Sequence, residues 1–375
     1  MFDFPFQEYS VWTGLYCILF YLILFVSNYK KGLLYQNQIT VNKSKQKWMI
    51  FLIGFFIVTH CSQGDFYHYQ QGVYDYWKAK GDTWSFVSEE IYNDIILFVR
   101  GNYFLFRIIV WGGAFTLFCL TAKRMKVPVF YAVVLLIATH SIVFSYARAT
   151  LAMSVYFFGL SFLCRPLKIK TISYAIGILS IIFSMEFHTS AILLIIMTLM
   201  LFIPVKKWSL LLILIILPLF IGIFKDYFFL IALSDSNEVM SEKMQMYAER
   251  ETIGGIAYPI IQALEYASFY LPTILATIVL FTKNRYKKCS KEIFRFYKVT
   301  IGIVLSTIAF ALMGDAFFTF VYRLLFMSMI PLTIIITYLY RNKLMNKKYF
   351  TICVFSGFLF LFAKYMYDIY CLIVG

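Results

Sequence analysis

Long apolar blocks alternate with short polar segments along almost the whole chain. Most blocks hold roughly 17 to 25 residues, the length of helix needed to cross the hydrocarbon core of a bilayer. The pattern predicts membrane spans at residues 9–28, 48–62, 103–122, 127–145, 149–164, 171–187, 189–204, 208–224, 259–282, 298–314, 322–340 and 349–367. We therefore expect an all-α protein, a polytopic transmembrane helical bundle of about 12 transmembrane helices. It is expected to form a single integral membrane domain over residues 1–375.

The polar segments between the blocks alternate in charge. Those after the first, third, fifth, seventh, ninth and eleventh spans are basic, and their cations include Lys30, Lys123, Arg165, Lys206, Lys283 and Arg341. The two longest segments of the other set, 63–102 and 225–258, are acidic. Because basic loops stay on the cytoplasmic side of a membrane, the acidic segments and both termini are predicted to face outward.

The composition agrees with a membrane setting. Hydrophobic residues make up 61% of the chain, charged residues only 14%, and the mean hydropathy is +0.76, whereas soluble domains are about half apolar and a quarter charged. The net charge of +15 would indicate nucleic acid binding in a soluble protein, but here the cations lie in short loops and set the topology. The expected partner is the lipid bilayer, and no nucleic acid is expected.

Several familiar catalytic motifs are absent from the sequence. It contains no Walker loop, no GxGxxG, HExxH or GxSxG motif, and no DxD carboxylate pair. The cysteines are scattered and lack zinc-ligand spacing. We therefore expect no metal and no cofactor, and any phosphate chemistry is expected to depend on arginine.

Ionisable and tyrosine side chains are grouped at the predicted outer ends of the spans. Charges at a membrane span are costly, so each one is a functional candidate. The candidates are Asp65, Tyr67, His68 and Tyr69 in the sequence GDFYHY, Arg148 at the start of the fifth span, Glu186 and His188 between the sixth and seventh, and Arg323 at the start of the eleventh. The plainer alternative is that the arginines contact lipid headgroups or pair with nearby acids. For Glu265 and Lys364, inside spans, a structural polar contact is the simpler expectation.

The positions of three candidates favour a phosphate ligand. Arg148, His188 and Arg323 each stand near the N-terminal end of a predicted span that runs inward. A cation there loses roughly 0.3 to 1 kcal/mol against the helix macrodipole, but backbone N–H groups and a guanidinium can bind one anion together. His188 can serve in such a site as a general base or a hydrogen-bond donor.

The outer segment at residues 85–100 has apolar residues near helical spacing. This spacing predicts an amphipathic helix. The helix either lies along the outer membrane surface or packs against the bundle, and the pattern leaves both alternatives open.

Three stretches of sequence resemble one family. GDFYHY after the second span, RATLAMSVYF at the fifth and FHTSAILLI at the seventh together resemble the EpsG-like branch of the Wzy-type polysaccharide polymerases. Members of that branch show an Asp-Tyr/Phe-x-x-Tyr turn, an Arg followed by a small-apolar helix, and a Phe-His-x-Ser-Ala helix start. The matching positions are 65–69, 148–154 and 187–191, with one departure, Phe66 where Tyr is more usual.

The resemblance implies both a fold and a function. It implies a GT-C-like membrane glycosyltransferase that polymerises repeat units of a capsular, exopolysaccharide or O-antigen-like glycan carried on polyprenyl pyrophosphate. Its partners would be the polyprenyl-pyrophosphate-linked oligosaccharides, and a flippase and a chain-length regulator of the same pathway. On this basis we expect catalytic roles for His188, Asp65 and Arg148, and substrate binding by Arg323, Tyr67, Tyr69, His68 and Glu186.

Two other activities fit part of the pattern. A flippase or other transporter of lipid-linked oligosaccharides also has about a dozen helices, but its polar residues line a route through the whole bilayer. A membrane O-acyltransferase can also use a single His, but its acyl donors are cytoplasmic, whereas His188 is predicted outside. Both remain alternatives to the polymerase.

Overall fold

Helices make up nearly all of the part of the chain that the structure describes. The structure is a computed structural model, and it describes residues 43–60, 65–79, 90–140, 143–144, 146–188, 191–203, 257–312 and 318–374. No strand occurs among these residues, so the predicted all-α class is confirmed for them. The predicted spans at 9–28 and 208–224 lie outside the described residues.

The described part of the chain forms a series of helices. In chain order they are α1 (Lys43–His60), α2 (Asp65–Lys78), α3 (Glu90–Phe98), α4 (Tyr103–Arg124), α5 (Val129–His140), α6 (Ala147–Cys164), α7 (Lys170–Phe187), α8 (Ala191–Leu201), α9 (Ala257–Phe281), α10 (Lys291–Leu312), α11 (Phe318–Arg341) and α12 (Lys347–Val374). A π-helical turn interrupts α4 at Ile108–Gly112. The helices α2 and α3 lie within the acidic segment 63–102, where no span was predicted.

Length and apolar composition identify helices that can cross a membrane. Among the described residues, α4, α7 and the part of α9 at Ala263–Phe281 are long and apolar enough to do so. Shorter apolar helices occur at Val129–His140, Arg148–Cys164, Ala191–Leu201 and Leu325–Arg341. Every predicted span in the described part overlaps a helix, with boundaries that differ by several residues at some ends.

The helices α5, α6 and α11 form the centre of the bundle. Every residue from Ala132 to His140 in α5 is buried, and α6 is buried almost all round. The helix α6 packs against α7, α4, α11 and α10, whereas α5 packs against α12 and α11. By contrast, α7 leaves Ile178, Leu179 and Phe183 uncovered, as expected for a helix that faces lipid.

Those cations of the predicted cytoplasmic side that the structure describes lie at one end of the bundle, here called the basic end. Arg124, the last residue of α4, donates to Ser161 Oγ at 3.0 Å and to the Arg165 carbonyl at 2.8 Å. Arg165 in turn donates to the Arg124 carbonyl. The helices α7 and α12 begin with lysine at the same end, and α11 finishes with Arg341. The opposite end is called the outer end below.

A close crossing of two glycines joins α6 to α7. A Cβ atom at Gly159 would lie 2.8 Å from the Gly177 carbonyl oxygen and 2.7 Å from Ser180 Cβ. A Cβ at Gly177 would lie 3.0 Å from the Gly159 carbonyl oxygen. Because apolar lipid gives helices no hydrophobic reason to associate, such small-residue crossings supply the van der Waals contact that holds membrane helices together.

We expect the substitution Gly159→Ala to destabilise the protein by about 1 to 3 kcal/mol, because the new methyl group overpacks the crossing against backbone. The matched control is Gly113→Ala in α4, where the nearest atom to a new Cβ is Leu151 Cδ1 at 3.8 Å. The melting temperature of each variant in detergent tests this. A Gly159→Ala protein that melts with the wild type would contradict the assigned crossing.

Candidate functional site

Arg148 lies at the outer end of the bundle, as predicted. It is the second residue of α6 and is half-buried. The backbone there is held in place, since the Arg148 carbonyl accepts a hydrogen bond from Tyr92 Oη at 3.3 Å. Thr150 Oγ1 donates to the Tyr146 carbonyl at 2.6 Å and also to the Val143 carbonyl. The start of α6 therefore carries a cationic residue at a helix N-terminus.

His188 lies between α7 and α8 at the same end and is only 7% exposed. Its N–H donates to the Met185 carbonyl at 3.1 Å, and its carbonyl accepts from Ala191 N–H at 2.9 Å. His188 thus closes α7 and precedes the first residue of α8. The neighbouring Glu186 is exposed, so the carboxylate and the imidazole do not share one environment.

Tyr92 connects the Arg148 segment to the His188 turn. Its ring is fully buried and contacts the ring of Phe187, the residue before His188, with centroids 6.1 Å apart. Its hydroxyl is the donor to the Arg148 carbonyl. Two sequence motifs that lie about 40 residues apart therefore meet through a tyrosine that was not among the candidates.

Residues 85–100 were predicted to form a helix that either lies along the outer membrane surface or packs against the bundle. The helix α3, which carries Tyr92, shows which of these holds for its own residues. The helix α3 buries Tyr92, Asn93 and Ile96 and exposes Leu97 and Phe98. It packs against α2 and the outer end of α7. It is therefore a packing helix of the bundle. Its exposed residues Leu97 and Phe98 form a small apolar surface.

The GDFYHY residues begin a helix. Asp65 is the first residue of α2, and Tyr67, His68 and Tyr69 follow within its first turns, where the family resemblance implied a turn. An acidic residue at a helix N-terminus is favoured by the macrodipole. Because α2 packs against α3, the helix that begins with Asp65 contacts the helix whose Tyr92 meets the Arg148 carbonyl and the Phe187 ring.

Arg323 lies further along its helix than predicted. The predicted span began at residue 322, but α11 begins at Phe318, so Arg323 is past the first turn. One turn further on, the ring of Phe326 contacts that of Tyr146 with centroids 4.7 Å apart. Position 323 therefore lies closer to the outer end than the contact between Phe326 and Tyr146. It is not at a helix N-terminus.

A buried arginine near the outer end of α4 was missed by the sequence analysis. Arg107 is 0% exposed and donates to the carbonyls of Thr59 at 3.3 Å and Ile57 at 3.5 Å. Its guanidinium also lies 5.7 Å from the Tyr103 ring centroid and 5.6 Å from that of Trp111. An ionisable residue inside a membrane span is a candidate functional residue. Arg107 lies within the predicted span 103–122, so the sequence already indicated it as a candidate.

Arg107 and Trp111 together link α1 to the segment before α6. Arg107 holds the last carbonyls of α1, a few residues before Asp65, and Trp111 Nε1 donates to the Phe144 carbonyl at 2.5 Å. The π-helical turn begins directly after Arg107 and contains Trp111, and such turns often occur at functional sites. The Asp65 and Arg148 segments are therefore positioned from a single helix.

His140, Glu265 and Lys364 lie inside the bundle, and His140 has two polar contacts there. The Nδ1 atom of His140 lies 2.7 Å from Thr139 Oγ1, and its Nε2 lies 3.4 Å from the Ser268 carbonyl. Glu265 on α9 is buried, and Lys364 is half-buried on the adjacent helix α12. The contacts of His140 are those of a packing residue, and the structural role expected for Glu265 and Lys364 stays a prediction.

The outer end therefore holds a cationic residue and an imidazole on two segments that both contact Tyr92. Arg148 is half-buried at a helix N-terminus, and His188 is buried next to Phe187. The described residues contain no cluster of three or more His, Cys, Asp or Glu side chains able to hold a metal ion.

Comparison with known proteins gives a family match. A model of the EpsG family matches residues 47–372, which is most of the chain and includes every candidate residue. The resemblance seen in the sequence motifs is thereby confirmed. No curated protein and no solved structure matches the chain.

We expect Arg107→Met to loosen both segments that α4 positions, because the carbonyls of Ile57 and Thr59 lose a charged donor worth about 1.5 to 3 kcal/mol. Hydrogen exchange should become faster in peptides covering residues 55–60 and 143–148. The matched control is Arg124→Met at the basic end of the same helix, where the arginine also donates to a carbonyl and stacks on a ring. Equal exchange in these peptides for both variants would refute the link.

Proposed function

The chain belongs to the EpsG family, and from this premise we propose that it is a polysaccharide polymerase of the bacterial cytoplasmic membrane. It joins oligosaccharide repeat units that are carried on polyprenyl pyrophosphate. The reaction takes place on the outer face of the membrane, where the flipped lipid-linked units are presented. A flippase and a chain-length regulator are its partners in the pathway.

The proposed topology has about 12 transmembrane helices. The shorter apolar helices and the predicted spans 9–28 and 208–224 then cross the bilayer together with α4, α7 and α9. The basic end faces the cytoplasm under the positive-inside rule. The proposed arrangement is a GT-C-like membrane fold with its active site at the outer end.

The observation that carries the proposal is the meeting of Arg148 and the His188 turn at Tyr92. A polymerase of this kind needs a cation for the pyrophosphate and a base for the acceptor hydroxyl, close to each other and at the headgroup level. The half-buried Arg148 and the buried His188 are suited to these tasks. Partial desolvation strengthens the attraction between a guanidinium and a phosphate.

The proposed reaction transfers the growing chain to an incoming unit. The nonreducing-end hydroxyl of the incoming lipid-linked unit attacks the anomeric carbon of the growing chain. The bond from that carbon to the pyrophosphate oxygen breaks, a bond to the acceptor oxygen forms, and the hydroxyl proton passes to His188 or Asp65. Arg148 and Arg323 stabilise the negative charge that develops on the departing polyprenyl pyrophosphate.

The remaining candidates are assigned to the sugars. Tyr67 and Tyr69 offer hydroxyl groups and ring faces, on which sugar rings can stack. His68 and Glu186 offer further polar contacts, and Glu186 is exposed at the mouth of the His188 turn. The arginines thus serve the pyrophosphate, and the tyrosines and their neighbours serve the glycan.

Reconstitution separates this function from its rivals. Purified protein in liposomes is supplied with the lipid-linked oligosaccharide fraction extracted from the host strain that lacks this protein. A polymerase produces a ladder of longer lipid-linked chains on a gel. Transfer of the lipids between leaflets without chain growth would favour a flippase, and acylated sugars without chain growth would favour an O-acyltransferase.

We expect Arg148→Ala and His188→Gln each to lower the polymerisation rate by roughly 100-fold, the usual cost of removing a group that stabilises transition-state charge or moves a proton. The control is Arg100→Gly. Arg100 is exposed near the outer end and has φ 55°, so glycine removes a cation while suiting the backbone.

The ladder assay provides the measurement for all three variants, at matched protein levels. The control is expected to keep the wild-type rate. Full-length polymer from Arg148→Ala or His188→Gln at that rate would refute the assigned roles.

A further inference from the structure

Asn93 is a buried side chain whose amide oxygen has no hydrogen-bond partner among the described residues. The residue is 7% exposed and lies on the buried face of α3. A buried polar atom without a partner costs a protein about 1 to 3 kcal/mol. A native protein that bears this cost often does so at a functional position, where a ligand supplies the missing partner.

The position of Asn93 places it among the candidate residues. It follows Tyr92, whose hydroxyl bonds to the Arg148 carbonyl and whose ring contacts Phe187 beside His188. The helix α3 also packs against α2, which begins with Asp65. Asn93 therefore lies on the element that stands between the two groups of predicted site residues.

We infer that Asn93 binds a hydroxyl group of the glycan. This inference rests on the proposed function, and it adds a sugar-binding residue that the sequence did not indicate. The amide oxygen accepts a hydrogen bond from a sugar hydroxyl, and the amide N–H₂ group donates to a neighbouring sugar oxygen. A neutral amide suits a neutral sugar ring, whereas the arginines suit the charged pyrophosphate.

Ser154 provides a matched comparison inside the bundle. Its hydroxyl is also buried without a hydrogen-bond partner among the described residues, and the residue is 1% exposed. It lies on α6 in a run of buried residues that includes Met153 and Val155. Removing this hydroxyl also removes the free-energy cost of a buried polar atom without a hydrogen-bond partner. Ser154 lies deeper in the bundle than Arg148.

The test compares the variants Asn93→Leu and Ser154→Ala in stability and in activity. Because each replaces an unpartnered polar group by an apolar one, both proteins are expected to melt at the wild-type temperature or above it. Unfolding in detergent is followed with a thiol-reactive fluorophore, since the free thiols of Cys164 and Cys353 are buried in the folded protein. Asn93→Ala adds no volume and replaces the leucine variant if leucine prevents folding.

Activity is expected to separate the two variants. Asn93→Leu should lower the polymerisation rate at limiting lipid-linked oligosaccharide by roughly tenfold, the equivalent of one hydrogen bond of about 1.4 kcal/mol. Ser154→Ala should keep the wild-type rate. Binding is measured by the rise in melting temperature as the extracted lipid-linked oligosaccharide is added. The concentration that gives half of the maximal rise should increase by a similar factor in Asn93→Leu only.

Each outcome bears on the inference. A lower melting temperature for both Asn93 variants would mean that the amide has a structural partner within the protein. An unchanged polymerisation rate, together with an unchanged half-maximal concentration of lipid-linked oligosaccharide, would mean that the amide does not contact the glycan. Either result overturns the inference. If the wild type binds the lipid-linked oligosaccharide but does not extend it, the polymerase proposal fails while the binding comparison still tests Asn93. If the wild type does neither, both fail.

Discussion

The structure depends on satisfying backbone carbonyl groups where helices end in an apolar environment. Inside a helix every carbonyl has its own N–H donor, but the last turn leaves several carbonyls without one, and lipid offers no replacement. In the described part of the chain, cationic side chains supply such donors: Arg107 at the end of α1, Lys298 at the end of α8 and Arg124 beyond α6. The same bonds hold helices together, because each donor belongs to a different helix from its acceptor.

This constraint connects the bundle to its outer end. The glycine crossing of α6 with α7 and the packing of α5 and α11 make a scaffold with little room to adjust. Arg107 and Trp111 then use carbonyls at the outer end to position the segments that carry Asp65 and Arg148. The helices of the bundle therefore position the candidate residues, although these residues lie at its outer end. The side-chain oxygen of Asn93, on the outer helix α3, lacks a hydrogen-bond partner among the described residues.

The candidate residues show how far local sequence information reaches. Arg148 and His188 were found because they stand at the ends of apolar blocks, and the structure has both at helix ends. Arg323 was found by the same reasoning, but its helix begins four residues earlier than residue 322, because apolar content alone does not locate a helix start. Tyr92 was passed over, since an aromatic residue in an amphipathic pattern is usually a packing residue.

The sequence by itself determined the helical class, the family and the position of Arg148 and His188 at helix ends. These follow from the length of apolar blocks, the charge of loops and short motifs, each of which acts within one stretch of chain. The tertiary structure alone decided that Tyr92 joins the Arg148 and His188 segments and that Arg107 holds the end of α1. Their partners lie 56 and 48 residues away, and no local pattern specifies which distant carbonyl a buried donor will reach.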